Sequence, residues 1–300
     1  LEWKLSISPN AKYLITGSEH IKKSLVNFRN KKGKVLWNYR LADSHSLETS
    51  AISKNGRYAV LGTSIIRLVM KDGKKVISKD RLSDVIVLNK RGKPLWKKHL
   101  YGEIQVNITD KGDKIFAVGS YDNNLYCYDS KGHVLFKKEI NNRGLPIWEI
   151  SLSDESDTIL IQTTSDIILL DYNGNVKKHF DVEIGNILGR SIISPDGNYI
   201  AHIQSDNGKH MVVYADINYN ILWKKEIGHA NIDFDKNNNI YVSSRYGGIN
   251  VFNTKGKLVN YFPTLETIAV EVKPNGKRVY AKTRDSLEVF TFPKKEKLKN

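Results

Sequence analysis

The stretch Ile192–Ile227, IISPDGNYIAHIQSDNGKHMVVYADINYNILWKKEI, holds four short runs rich in Ile, Val, Tyr and Trp, separated by Ser-Pro-Asp-Gly, Ser-Asp-Asn-Gly-Lys-His and Ala-Asp-Ile-Asn-Tyr-Asn. Short β-branched and aromatic runs broken by Gly, Pro, Asn and Asp read as a four-stranded antiparallel meander. The pattern recurs from end to end. Its first turn is Ser-Pro-Asn-Ala at 8–11, Lys-Asn-Gly at 54–56, Asp-Lys-Gly at 110–112, Asp-Glu-Ser at 154–156, Pro-Asp-Gly at 195–197, Lys-Asn-Asn at 236–238 and Pro-Asn-Gly at 274–276. The third turn residues stand at 11, 56, 112, 156, 197, 238 and 276, and intervals of 38 to 56 residues suit blades of four strands. One small sheet cannot bury its own faces, so such units must pack on each other. The chain is therefore expected to be all-β, a seven-bladed β-propeller of four-stranded antiparallel blades.

A second anchor fixes the outer half of each unit: a strand, a Lys-Gly-type turn, then Leu-Trp or Leu-Phe. It ends at Trp37, Trp96, Phe136 and Trp223, while units four and six keep Gly174 and Gly256 but carry Lys178 and Asn260 in place of the aromatic. Those two blades are expected to pack their outer strands differently. On these motifs the chain resembles the quinoprotein-like propellers, whose repeats are of the pyrroloquinoline quinone type, and more distantly the WD-repeat proteins. The Gly-His and Trp-Asp signatures of true WD repeats are missing. The resemblance covers essentially the whole chain and implies the propeller fold, an architecture that carries unrelated activities.

Two units depart from the rule. Unit two holds an extra segment, 63–83, whose alternating apolar residues around Lys71-Asp72-Gly73-Lys74 signal a hairpin. Unit seven runs out of strands before the tail 293–300, Pro-Lys-Lys-Glu-Lys-Leu-Lys-Asn, so residues 1–292 make one propeller whose last blade is incomplete. Residues ahead of Leu1, or marginally Leu1–Glu2, are expected to complete that blade. The opening Leu1 rather than Met also leads us to expect an upstream targeting segment, and with it a place in a prokaryotic envelope or outside the cell.

Composition excludes other classes. With 40% hydrophobic and 26% charged residues the chain is neither disordered nor built of membrane-spanning helices. Cys127, the only cysteine, rules out an internal disulfide and a cysteine metal cluster, and reads as a small buried hydrophobe.

The inter-blade loops, with those between second and third strands, form one face of a propeller. There the expected ligand-binding side chains are His45, Arg143, Arg190, His229, Arg245 and Arg284, the arginines able to converge on an anion. The eight histidines show no metal-binding spacing, no Gly-x-Ser-x-Gly elbow is present, and the carboxylate, amide and basic constellation of quinoprotein enzymes has no counterpart. Neither a cofactor nor a metal is expected. Tyr101, Tyr121, Trp148 and Tyr246 are the aromatics of this face, with Trp148 expected to be buried in packing.

The opposite face is built from turns within blades, and it collects much of a net charge of +15: Lys31, Lys32 and Lys34, then Lys90, Arg91 and Lys93, then Lys277 and Arg278. Such an arc suits solubility, and also an anionic lipid, polysaccharide or other polyanion. No aromatics interleave with it, which argues against sequence-specific nucleic acid as a partner. Two functions stay open. One is a non-enzymatic scaffold or ligand-recognition propeller with a protein partner, and the other is a lyase or hydrolase with its site at the channel mouth.

Overall fold

The computed structural model describes residues 2–18, 24–65, 68–71, 74–77, 82–140, 145–182, 187–228, 230–244, 247–264, 267–272, 278–283 and 286–291. Over them the chain forms six four-stranded antiparallel sheets, one three-stranded sheet and a separate two-stranded hairpin. The sheets are the seven blades, and inner strands of neighbouring blades pack side by side until blade seven meets blade one. Blade one runs from Glu2–Ile7 to Val35–Arg40, blade two from His45–Ile52 to Pro94–Tyr101, and blade three from Ile104–Ile108 to Val134–Glu139. Blade four runs from Ile147–Ser153 to Val176–Asp181, blade five from Ile187–Ile193 to Ile221–Ile227, and blade six from Ala230–Phe234 to Leu258–Phe262. Blade seven has three strands, Thr267–Val272, Arg278–Thr283 and Leu287–Thr291. Within the extra segment of unit two, Leu68–Lys71 pairs antiparallel with Lys74–Ile77. The basic tail lies outside the described residues.

The turns that join third to outer strands are set by one local device. Asn30, Asn89, Asp129, Asp171, Asp216 and Asn253 each accept, on one side-chain oxygen, the N–H groups two and four residues on, at 2.8–3.1 Å. The next-but-two residue then turns left-handed, with φ of 82° at Gly33, 78° at Gly92 and 64° at Tyr219.

These turns seat the neighbouring blade. A Cβ on Gly92 would fall 2.7 Å from the Trp37 ring, one on Gly132 2.8 Å from Trp96, one on Gly174 2.8 Å from Phe136, and one on Gly256 3.0 Å from Trp223. The anchor aromatic of each of these blades therefore lies against a bare backbone in the next. The indole N–H groups also donate across the joint: Trp37 to the Lys90 carbonyl at 3.0 Å, Trp96 to Ser130 at 3.1 Å and Trp223 to Thr254 at 3.2 Å. Blade four lacks the aromatic but keeps the bond, since the Lys178 ammonium donates to the Ile217 carbonyl at 3.2 Å and to the Asn218 side chain.

Between the blades lie apolar cores. Ile15, Phe28, Leu47 and Leu61 fill the joint of blades one and two, and Ile203, Tyr214, Ile232 and Phe234 that of blades five and six. Each such side chain contributes roughly 1.5–3 kcal/mol on leaving water. Cys127 is buried in the joint of blades three and four, and burial pushes its thiol up to about 12, which makes it inert.

The joints predict a stability series. Trp96→Ala should lower the unfolding free energy by about 3 kcal/mol through lost packing and a lost hydrogen bond, and Lys178→Met by about 1 kcal/mol through the bond alone. Urea unfolding followed by tryptophan fluorescence checks both, and equal losses would deny the different construction of blade four.

Candidate functional site

The channel is lined by alternate residues of the inner strands. Lys4, Glu149, Arg190 and Asn231 stand four positions ahead of Ser8, Ser153, Ser194 and Asp235, the residues that open each first turn, so they occupy matching places in four blades. With Glu48, Asp233 and Glu271 they surround a cavity of about 720 Å³. The described residues lining it include the cations Lys4, Lys54 and Arg190 against the carboxylates Glu48, Asp110, Glu149, Asp154, Glu155, Asp233 and Glu271. A strongly basic protein thus has an acidic axis.

These charges are arranged in pairs. Lys4 Nζ lies 3.1 Å from Glu48 Oε1, and the Arg190 guanidinium reaches Glu271 Oε1 at 3.4 Å and Glu149 Oε2 at 3.8 Å. Burial pushes the Glu149 carboxyl up to about 7, against the pull of Arg190 and Lys4 and with a small push from Glu271. Burial alone would weaken the Arg190 cation, but Glu149, Glu271 and Asp233 outweigh it and hold its pKa above the ordinary arginine value.

Other channel side chains stitch one blade to the next. Ser6 Oγ donates to the Ser50 carbonyl at 2.7 Å, and Thr49 Oγ1 donates to the Ile104 carbonyl at 2.9 Å while accepting from Val106 N–H at 3.0 Å. Asp233 accepts from Val272 N–H at 2.6 Å and Ser151 from Ile193 N–H at 3.3 Å. At the turn end, Lys54 pairs with Asp110 at 2.8 Å, and Asp154 accepts from Asp110 N–H and from the Tyr172 hydroxyl, both at 2.5 Å.

The loop face has its own clusters. His45 is the first residue of its strand, largely buried, with Nε2 3.3 Å from Asp84; the same carboxylate receives Lys97 at 2.7 Å and His99 at 2.8 Å. Blade four repeats the arrangement: buried Asp166 accepts from Thr163 Oγ1 at 2.8 Å, Ser165 Oγ at 2.9 Å and His179 Nε2 at 2.8 Å. These hydrogen bonds favour the ionised form and, although burial opposes them, hold Asp166 below the usual carboxylate range. Asp166, His179 and Asp181 offer ligand atoms within 4.8 Å of one another, the metal-like grouping among the described residues. The bonds from Thr163, Ser165 and His179 already engage Asp166, and the cluster ties second, third and outer strands together.

Beside these clusters, three aromatics face solvent. Tyr101, Tyr121 and Trp148 are 39%, 39% and 41% exposed, and the two tyrosine rings meet edge to face at 6.2 Å. Ser120, just before Tyr121, accepts on its carbonyl the N–H of Ile147, just before Trp148, which sets the three in one neighbourhood. The expectation that Trp148 would be buried is corrected. Strand alternation turns Ile147 inward at 0% exposure and Trp148 outward, its indole N–H on Thr164 Oγ1 at 3.2 Å.

Of the six side chains expected to meet a ligand, Arg143, His229, Arg245 and Arg284 lie outside the described residues. Arg190, expected on a loop, is within the strand Ile187–Ile193 and inside the channel, while His45 belongs to the Asp84 cluster. Of the basic arc, Lys31, Lys32, Lys34, Lys90, Arg91 and Lys93 are exposed on adjacent turns and Arg278 is half-buried on blade seven; Lys277 lies outside the described residues. The sequence reading missed Lys4, Glu149, Asp233 and Glu271. Their signal is a charged residue at an alternate position of an otherwise apolar inner strand.

Comparison with known proteins follows this geometry. A family model described as outer membrane protein assembly factor BamB matches residues 21–255. No curated protein matches the chain. Among solved structures, Kuenenia stuttgartiensis hydrazine synthase aligns with a TM-score of 0.73 at 14% identity, over 97% of this chain and 95% of that one. The Cps50 (Swd1) β-propeller domain of Myceliophteria thermophila aligns with a TM-score of 0.73 at 12% identity, over 97% and 96%. At such identities the likeness is one of fold.

The channel electrostatics can be read by carboxyl NMR. Glu149 should titrate near pH 7; Arg190→Met should raise that midpoint by removing the larger opposing cation, Lys4→Met should raise it less, and Glu271→Gln should lower it slightly. Because the folded-state value lies above the unfolded one, Glu149 favours folding below about pH 4.5 and that contribution is lost as pH rises towards 7, so Glu149→Gln should flatten the stability profile across this window.

Proposed function

We propose a function from one premise: the chain belongs to the family described as outer membrane protein assembly factor BamB. The propeller serves as a protein-interaction scaffold of a bacterial envelope, and its contact surface is the loop face around Tyr101, Tyr121 and Trp148. The observation that carries this reading is the exposure of three large aromatics, Tyr101 and Trp148 on strand ends and Tyr121 in the turn between Ile115–Gly119 and Asn124–Tyr128. Tyr and Trp supply large, stiff contact area and dominate the energetics of protein interfaces. The channel supports the same conclusion from the other side, since Lys4, Arg190, Thr49 and Asp233 are engaged with neighbouring blades and hold the ring together. The exposed turns carrying Lys31, Lys32, Lys34, Lys90, Arg91 and Lys93 add a second contact, to an anionic surface.

One observation favours a second reading. A carboxyl that titrates near 7 beside a guanidinium, in a cavity of about 720 Å³, is the equipment of a proton-transferring lyase or hydrolase for an anionic substrate. The hydrazine synthase named above is an enzyme, but a likeness at 14% identity lends this chain its fold and not its chemistry.

The two readings separate by variant. In capture from an envelope extract, Tyr101→Ala and Trp148→Ala should each reduce retention of the wild-type partner tenfold or more with unchanged thermal unfolding, and Glu149→Gln should leave it intact. Retention that survives both aromatic changes and fails on Glu149→Gln would overturn the scaffold reading.

A further inference from the structure

The turns within blades carry charges that the fold does not require. In the third turns of blades one, two and six an Asn accepts the backbone N–H groups two and four residues on, and in blades four and five an Asp does so, all at 2.8–3.1 Å. Either side chain closes the turn, so local geometry leaves the charge free. The residues two and four beyond are Lys or Arg after each of those Asn, and Asn after each of those Asp.

The signs are segregated around the ring. The first and third turns of blades one and two, 8–12, 30–34, 53–57 and 89–93, hold nine cations and no carboxylate. Those of blades four and five, 153–157, 171–175, 194–198 and 216–220, hold six carboxylates and no cation. Blade three, between them, carries both signs in its turns, as in Asp129 and Lys131. First and third turns share one face, since Lys177 at the start of blade four's outer strand donates to the Ser156 and Asp157 carbonyls of that blade's first turn. All nine cations are exposed, as are Glu155 and Asp157, and among the nine Lys54 is paired with Asp110 of blade three. Burial works against ionisation at Asp171, Asp196 and Asp216, but side-chain and backbone hydrogen bonds outweigh it and hold all three below the usual carboxylate range. Lys114, Lys177 and Lys178 reach the acidic turns from neighbouring strands, donating to the Tyr172, Ser156 and Ile217 carbonyls, and still leave carboxylates in excess.

We propose that this bipolar face is an interface between two copies of the chain, which meet turn face to turn face about a two-fold axis. An axis crossing the face through blade three exchanges blade one with blade five and blade two with blade four. Each cationic pair of blades then lies on a carboxylate pair, and blade three, with both signs, lies on itself. Blade six falls opposite blade seven, whose first turn is outside the described residues. An anionic membrane would take the basic half of the face and repel the acidic half, whereas a second copy satisfies both. The inference rests on the reading of the turn lysines as a contact for an anionic surface, and identifies that surface as blades four and five of the second copy. The two loop faces point outward, so the dimer presents two partner-binding surfaces.

Sedimentation velocity on the intact chain tests this. Expected are a dimer at low salt that dissociates as salt rises, and association at least tenfold weaker in Arg91→Glu/Lys93→Glu and in Glu155→Lys/Asp157→Asn, each with unchanged thermal unfolding. The decisive arm mixes the two variants in equal amounts: one has a uniformly more acidic face and the other a more basic one, so the mixture should dimerise although neither does alone. A monomeric wild type, a dimer indifferent to both pairs of changes, a mixture that stays monomeric, or growth into larger assemblies would each overturn the proposal. If the wild type stays monomeric yet sediments with phosphatidylglycerol vesicles, the second copy is excluded while the anionic-surface reading stands. Partner capture at the loop face is read separately and does not bear on the result.

Discussion

Everything in this ring rests on the contact between one blade's outer strand and the next blade's turn. An indole or phenyl ring lies flat against a glycine whose left-handed φ both closes the turn and leaves the surface bare. The joint needs two sequence signals at once, an aromatic in one repeat and a glycine in the next. Where the partnership changes, both sides change: after Lys178 the turn carries Tyr219 rather than glycine at the left-handed position, and an ammonium replaces the indole as donor to the same carbonyl. Indole and ammonium both deliver the hydrogen bond to that carbonyl, whereas Phe136 keeps only the seat on Gly174.

The axis obeys a different rule. Inner strands converge there with little room, so their inward side chains must satisfy each other's polar groups or meet water. Serine, threonine and aspartate do so by bridging to backbone of the adjacent blade, and lysine and arginine by pairing with glutamate. The carboxylates outnumber the cations lining the channel, so the last proton on Glu149 is held by the difficulty of adding another negative charge in a buried place. Among the described residues much of the basic excess stands on the outside, where the exposed turn lysines and the lysine pairs behind Trp96, Phe136 and Trp223 blunt the sheet edges.

The fold was legible because its determinants are local. Turn residues, strand alternation and the Leu-Trp anchor repeat at readable intervals, and they placed seven blades and the short blade seven. The candidate site was legible only in part, because its residues are brought together by rotation about the axis and not by sequence spacing. Arg190 meets Glu149 and Glu271 from three different blades, and no local pattern announces that meeting. Trp148 was misjudged for a smaller reason: near the start of an inner strand, one step of alternation decides between core and solvent, and Ile147 took the inward step.

A closed ring distributes its stability unequally when one joint differs. Among the described residues the joint of blades seven and one is built on Leu5, Ile7, Ala11, Leu14 and Tyr280, with Leu287 half-buried against it, and none of the described aromatics seats on Gly33. The other joints each add an outer-strand contact or a larger apolar core to the packing of inner strands. Local opening follows the lowest contact density, so among the joints formed by the described residues that of blades seven and one is where the ring should yield first.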